Sequence, residues 1–290
     1  MTNSNPLISI ICVSMNHEKY IEQGVNSFIK QTYPNIEFLY LDNYSIDNTF
    51  EIAATLLTAS KRPYQLFKRE RNYNLPENFN YLIKKASGKY LCFISCDDWM
   101  LPQFIETLVR EYESKPHIGL LYTNGWYYFE DKKEFALAEN KKFISGKIFD
   151  HIFLHSALFP VGIMIKKEVF EKVGLYDETL PIEDYDMWLR IAAEYEIGYS
   201  PEPAIYYRKH SKSMTGQSGY KNIKYYQQIA HKYKSNKLYN RVTRNFRKFN
   251  IYEHLIKGEK KAALGKIIKD FRIDKFYFSV LFKLFTGKSK

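Results

Sequence analysis

Cysteine is scarce in this 290-residue chain: only Cys12, Cys92 and Cys96 are present. An odd count without any zinc-type Cys/His spacing excludes a zinc ribbon or finger and offers no disulfide framework, so buried free thiols in a reducing cytosol are expected. Long apolar runs are also missing. Stretches 7–15 and 276–285 are about half the roughly 18 residues that span a bilayer, so no membrane-crossing helix is expected. Residues 1–6 are polar and lack a basic start, unlike a secretory signal. The loop after the first apolar run, Met15-Asn16-His17-Glu18-Lys19, has no glycine. This argues against the Gly-rich phosphate loop of a nucleotidyltransferase. Neither an internal repeat nor a nucleic-acid recognition module is visible, so nucleic acid is not an expected partner.

Aromatics are plentiful, with 25 Tyr and 21 Phe, enough for a core and for surfaces that stack on sugars or bases. The net charge of +11 is unevenly spread. Residues 220–290 hold 19 Lys/Arg against Glu253, Glu259, Asp270 and Asp274, whereas residues 1–219 are mildly acidic. A basic tail on an acidic body points to an anionic partner. In 221–249 basic residues interleave with Tyr, Ile and Phe, and 276–285 is strongly apolar. Two readings stand: a peripheral anchor on anionic lipid, or a helical subdomain with a solvated basic face. The expected boundary puts one domain at 1–218 and a basic helical region at 219–290, with 211–219 as a hinge.

The continuous β-branched run 7–14 predicts a strand buried on both faces of a parallel sheet. A helix over 19–31, a strand over 38–42, a helix over 49–59, a strand over 65–68, a helix over 78–86 and a strand over 90–95 follow. This alternation predicts a doubly wound α/β sheet. Ligands bind outside the carboxyl ends of such strands. Those ends carry Ser14-Met15-Asn16, Asp42-Asn43 and Asp97-Asp98, which should converge on one crevice. Beyond them a helix is expected over 102–113, strands within 118–129, a charged loop over 130–142, and helices over 166–173 and 184–193. Two strands are expected over 197–203 and 204–207.

Three constellations carry chemistry. Asp97-Asp98 ends an apolar strand, where two adjacent carboxylates need compensation. A divalent cation such as Mg2+ or Mn2+ supplies it, although turns and helix caps also favour Asp. Asp42 is placed to accept a hydrogen bond from a base or ribose, while Asp47 is better read as a cap. Glu183-Asp184 opens a helix, where the dipole favours carboxylates and capping alone would explain one of them.

Taken in order, the motifs resemble the family 2 glycosyltransferases of GT-A type. They are Val13-Ser14-Met15-Asn16, Gln31-Thr32-Tyr33-Pro34, Asp42-Asn43-Tyr44-Ser45-Ile46-Asp47, Ala86-Ser87-Gly88 and Asp97-Asp98 with Leu101-Pro102. Val173-Gly174-Leu175-Tyr176-Asp177-Glu178, Glu183-Asp184-Tyr185-Asp186-Met187-Trp188 and Tyr207-Arg208-Lys209-His210 follow. Together they span about residues 7–213. The resemblance implies a Rossmann-like mixed, mostly parallel sheet flanked by helices. It also implies an inverting hexosyl- or N-acetylhexosaminyltransferase that uses a nucleotide diphosphate-sugar, expected to be a UDP-sugar, and Mn2+ or Mg2+. Asp42 would bind the base with Ser14 and Asn16 nearby, Asn72 would help hold the nucleotide, and Asp97 would meet the ribose or a metal-bound water. Asp98 and His210 would hold the metal, Asp184 would be the catalytic base, and Glu183 and Trp188 would face the acceptor. A cation for the diphosphate is expected from Arg71, Arg208 or the tail. The acceptor would be a hydroxyl of a surface glycan or polyprenyl-linked glycan, handled on the inner face of the cytoplasmic membrane. The rival readings are a nucleotidyltransferase and a non-catalytic nucleotide- or glycan-binding module.

Overall fold

The computed structural model describes residues 5–138, 143–155, 158–210, 223–256 and 258–270. The chain divides into two compact units, Met1–His210 and Ser211–Lys290. The anticipated boundary after 218, the hinge and the apolar segment 276–285 all lie outside the described residues.

In the first unit, β1 (Ile8–Ser14) is buried along its whole length. It lies between two parallel neighbours, β2 (Ile36–Asp42) and β4 (Tyr90–Ser95), and β3 (Tyr64–Lys68) extends the sheet beyond β2. Burial on both faces is why the first run is uniformly apolar. Helices α1 (Ile21–Ile29), α2 (Thr49–Ala59) and α3 (Leu75–Lys85) make the crossovers. In α1, Ile21, Val25 and Phe28 fall on one helical stripe and are all buried. Gly24 on the same face is required by contact, because a Cβ there would meet the Cys96 carbonyl oxygen at 2.4 Å. The start of α3 is fixed by a reciprocal capping box between Asn74 and Glu77, with Pro76 in its first turn.

The sheet continues past β4 with β8 (Ile163–Lys166), β6 (Ile118–Phe129), β9 (Glu196–Lys209) and β5 (Trp99–Met100), while β7 (Glu134–Leu137) pairs with β6. β8 runs antiparallel to both β4 and β6, whereas β6 and β9 are parallel to each other. Helices α4 (Phe104–Ser114), α5 (Phe149–His155), α6 (Val169–Val173) and α7 (Asp184–Glu194) flank this half.

Several expectations are corrected. The charged stretch expected as a loop contains β7, because 126–129 needs an antiparallel partner at the sheet edge. The two short strands expected within 197–207 are one strand, β9, which absorbs register shifts opposite Asn124. α5 was not foreseen. Cys12 and Cys96 are joined as a disulfide, with Cα atoms 6.6 Å apart, and only Cys92 is free. Neighbouring parallel strands bring these two cysteines together across 84 residues of sequence, a proximity that spacing does not reveal.

Among the described residues of the second unit are α8 (Ile223–Lys232), α9 (Tyr239–Ile256) and α10 (Lys260–Asp270), with α9 packed against both others. No described helix is long and apolar enough to cross a membrane.

Candidate active site

The sheet reverses its winding between β1 and β4, and the residues ending these strands form the site. Ser14 stands in register with Asp42, and its hydroxyl shares a 2.6 Å hydrogen bond with Tyr40. Asp42 Oδ1 accepts the Ser45 N–H at 2.8 Å, a local turn that holds the carboxylate still. Its Oδ2 is buried and without a hydrogen-bond partner. Asn72 accepts a 2.8 Å bond from Asn43 Nδ2, and Asn43 Oδ1 accepts the Tyr73 N–H at 3.0 Å. Asn43, which the sequence motif displayed without a role, therefore organises this wall.

Asn16 ties two loops together. It adopts φ 55°, a left-handed conformation that Asn tolerates better than most residues. Its Oδ1 accepts the Ile46 N–H at 3.0 Å and its N–H donates to Ser45 Oγ at 2.9 Å. It fastens the loop after β1 to the loop after β2. Asp47 takes the capping role, with Oδ1 accepting the Thr49 N–H at 3.1 Å.

Asp97, His210 and His17 form the second group. His210 Nε2 lies 3.1 Å from Asp97 Oδ2, and both side chains are almost wholly buried. Asp97 Oδ1, His210 Nδ1 and His17 Nδ1 are buried with no hydrogen-bond partner. Tyr20 packs between the imidazoles, with ring centroids 4.8 Å from His210 and 6.3 Å from His17, and its hydroxyl donates to Glu130 at 2.8 Å. Burial alone would raise Asp97. The His210 hydrogen bond, the His17 charge and the Ser95 side chain outweigh it and hold Asp97 at about 2. Burial lowers His17, against the opposing pull of Asp97.

Asp98 is differently engaged. Its Oδ1 accepts the Arg208 N–H at 2.9 Å, and burial together with the neighbouring Asp97 charge pushes its carboxyl well up. The Arg208 guanidinium, expected as a possible partner for the diphosphate, is enclosed. Its Nε donates to the Asp97 carbonyl oxygen at 2.8 Å, and the group also bonds Gln23 and lies against Tyr20, Trp99 and Tyr128. Arg208 thus welds β9 to the Asp97-Asp98 strand end. Arg71 is solvent-exposed and stacks on Tyr73.

The third group opens α7, where Glu183 and Asp184 are half-buried. Burial raises both carboxyls, Glu183 to about 7, and the Glu183 charge raises Asp184 further. Asp186, in the same first turn, is buried in a 2.8 Å ion pair with Arg190. Trp188 is only 5% exposed. The helical period turns it inward.

Asp97 Oδ2 and His210 Nε2, 3.1 Å apart, fit two adjacent ligands of one divalent cation, a hard oxygen and an imidazole nitrogen, and Asp97 Oδ1 is buried with no hydrogen-bond partner. Among the described residues no cluster of three or more His, Cys, Asp or Glu gathers as a complete cage. A cation here would complete its shell with substrate phosphate and water.

A sheet mixed in this way, with acidic strand ends at its winding switch and a carboxylate pair at the head of α7, defines a GT-A type glycosyltransferase. The glycosyl transferase family 2 model matches residues 9–174, more than half of the chain, and the chain belongs to that family. It is 29% identical over 208 residues to an uncharacterized glycosyltransferase of Methanocaldococcus jannaschii, covering 70% of this chain and 71% of that protein. Its fold is similar to that of S. aureus TarS 1–349 in complex with UDP-GlcNAc, at a TM-score of 0.65 and 15% identity over 96% of this chain and 80% of that one. It is likewise similar to a mannosyltransferase from Pyrobaculum calidifontis in complex with GDP-Man and Mn2+, at a TM-score of 0.63 and 13% identity over 99% and 89%.

Proposed function

We propose that this glycosyltransferase is an inverting, divalent-cation-dependent enzyme that transfers a hexosyl or N-acetylhexosaminyl group from a UDP-sugar to a hydroxyl of a glycan or lipid-linked glycan. The observation that carries this reading is the buried pairing of Asp97 with His210 at 3.1 Å, at the strand ends where Asp97 Oδ1 and Asp42 Oδ2 are left without a partner.

Asp42 supports the choice of nucleotide. It has one free acceptor oxygen, which suits the single ring N–H of uracil. Ser14 lines this end, while Asn72 acts through Asn43.

Asp97 and His210 would hold Mn2+, or Mg2+, and the bound cation supplies stabilisation of the negative charge that grows on the departing diphosphate. The preference for Mn2+ follows from the imidazole. Asp98 keeps β9 in register behind them through Arg208. The raised carboxyl of Asp184 suits it to take the proton of the acceptor hydroxyl as that hydroxyl attacks the anomeric carbon. Glu183 lies beside it on the acceptor side. One displacement inverts the configuration and needs no covalent intermediate.

The second unit supports a peripheral place on an anionic membrane surface, the inner face of the cytoplasmic membrane. Phe249 and Tyr252 are exposed on α9, next to Arg247 and Lys248.

Calorimetric titration with UDP and GDP, with and without Mn2+, tests the reading, followed by nucleotide release from a panel of UDP- and GDP-sugars. Mn2+-dependent UDP affinity is expected, lost in Asp97→Asn and in His210→Ala and kept in Asp98→Asn. Loss in Asp98→Asn alone would move the metal to that carboxylate, and no nucleotide affinity at all would sink the proposal.

A further inference from the structure

The nucleotide side of the site and the Glu183–Asp184 pair belong to separate parts of the chain, and α3 ties them together. α3 begins two residues after Tyr73, whose backbone Asn43 holds beside Asn72. Its other side reaches the loop that leads into α7. Asn80 is 3% exposed and uses its whole amide there. Nδ2 donates to the Tyr176 carbonyl oxygen at 2.9 Å and to Glu178 Oε1 at 2.8 Å, and Oδ1 accepts the Tyr176 N–H at 2.9 Å. Asn74, the cap of the same helix, donates from Nδ2 to the Glu178 carbonyl oxygen at 2.8 Å. The beginning of the loop is gripped independently, since Arg190 of α7 donates to the carbonyl oxygens of Val173 and Gly174 at 2.6 and 3.2 Å.

An asparagine that both donates to and accepts from one backbone position copies a β-ladder with its side chain. Both amide protons and the carbonyl oxygen are committed to this loop and the side chain is buried, so it acts through the loop rather than on substrate. Of the groups that follow the held segment, Glu183 and Asp184 are the first ionisable ones after Glu178.

We propose that Asn80 is a positioning residue for sugar transfer: from α3 it fixes the loop over 174–183 so that Asp184 meets the acceptor hydroxyl at the place the nucleotide wall sets for the donor. The inference rests on Asp184 being the base. A misplacement of about 1 Å costs up to a hundredfold in rate, so removing the clamp lowers transfer without touching nucleotide affinity.

The test compares Asn80→Ala, Asn80→Asp, Asn80→Asp/Glu178→Gln and Asp184→Asn in the full chain. The readouts are UDP affinity with Mn2+ by calorimetry, release of UDP to water from the panel sugar that the wild type turns over fastest, and hydrogen exchange. Asn80→Ala is expected to keep UDP affinity within about twofold while release falls between tenfold and a hundredfold. Amide exchange over 174–183 should quicken while that of β1 and β2 stays unchanged. Asn80→Asp places a carboxylate against Glu178 and should be the most impaired, with part of the rate restored when Glu178 becomes Gln.

Unchanged release in Asn80→Ala, or affinity and release falling together with faster exchange throughout the sheet, overturns the proposal. Asp184→Asn separates the two ideas. Near-normal release there removes the base assignment. Release lost there but intact in Asn80→Ala removes the clamp alone.

Discussion

Neutralising the carboxylates at the head of α7 should split stability from activity. A rise of Glu183 from the usual 4.5 to about 7 corresponds to ~3 kcal/mol against its ionised form, at about 1.4 kcal/mol per pH unit. Solvent at the half-buried rim screens part of this, leaving ~1–3 kcal/mol. A raised carboxyl keeps its proton longer in the folded chain than in the unfolded one. Below pH 4.5 both states are protonated and the site costs nothing. The cost opens as pH rises from 4.5 and is complete above about 7. Glu183→Gln mimics the neutral form permanently, so its melting temperature should match the wild type at pH 4 and exceed it at pH 8. At roughly 2–4 °C per kcal/mol for a unit of this size, the gain is several degrees. Asp184→Asn should show the same sign, since its carboxyl is raised by burial and by Glu183.

Activity should move the other way. Asp184→Asn removes the proposed general base, a contribution of about a hundredfold to ten-thousandfold. Glu183→Gln keeps the base and removes a charge that raises it, so the acidic limb of kcat/KM should shift to lower pH. Thermal melts at the two pH values and a pH–rate profile of nucleotide release measure all of this. A lower melting temperature for Glu183→Gln at pH 8 would show that the ionised carboxylate stabilises the fold and that burial does not govern the pair. Transfer by Asp184→Asn within tenfold of wild type would refute its role as base.

Two further outcomes are expected. Gly24→Ala places a methyl group against the Cys96 carbonyl, at 2.4 Å if nothing moved. α1 must lift from the strand end, which costs about 1–3 kcal/mol by denaturant titration and weakens Mn2+-dependent UDP binding, because Asp97 is the next residue. Asp42→Ala removes the open Oδ2 and the Ser45 turn together. UDP affinity should fall about tenfold or more, while the melting temperature in the absence of nucleotide drops only slightly; an unchanged affinity would place the base elsewhere.

The sequence by itself determined the sheet's first half and the identity of its strand-end residues. Apolar strands separated by helices have one economical arrangement, and parallel winding puts Ser14, Asp42 and Asp97 at the same edge. Tertiary structure alone decided what each of these groups has left to offer. Asp97 and Asp98 are adjacent and chemically identical in sequence, yet Asp98 is bound to the Arg208 backbone 110 residues away and Asp97 keeps an open oxygen beside His210. His17 and Asn80 were given no role from the sequence, and Asn43 only a place at a strand end, since polar residues beside strand ends and in helices are common. A motif gives the neighbours of a residue along the chain and not the side of the helix that packs, so the burial of Trp188 came only with the structure. Hydrogen bonds between residues far apart in the chain allocate polar atoms, and that allocation exists only once strands and helices have met.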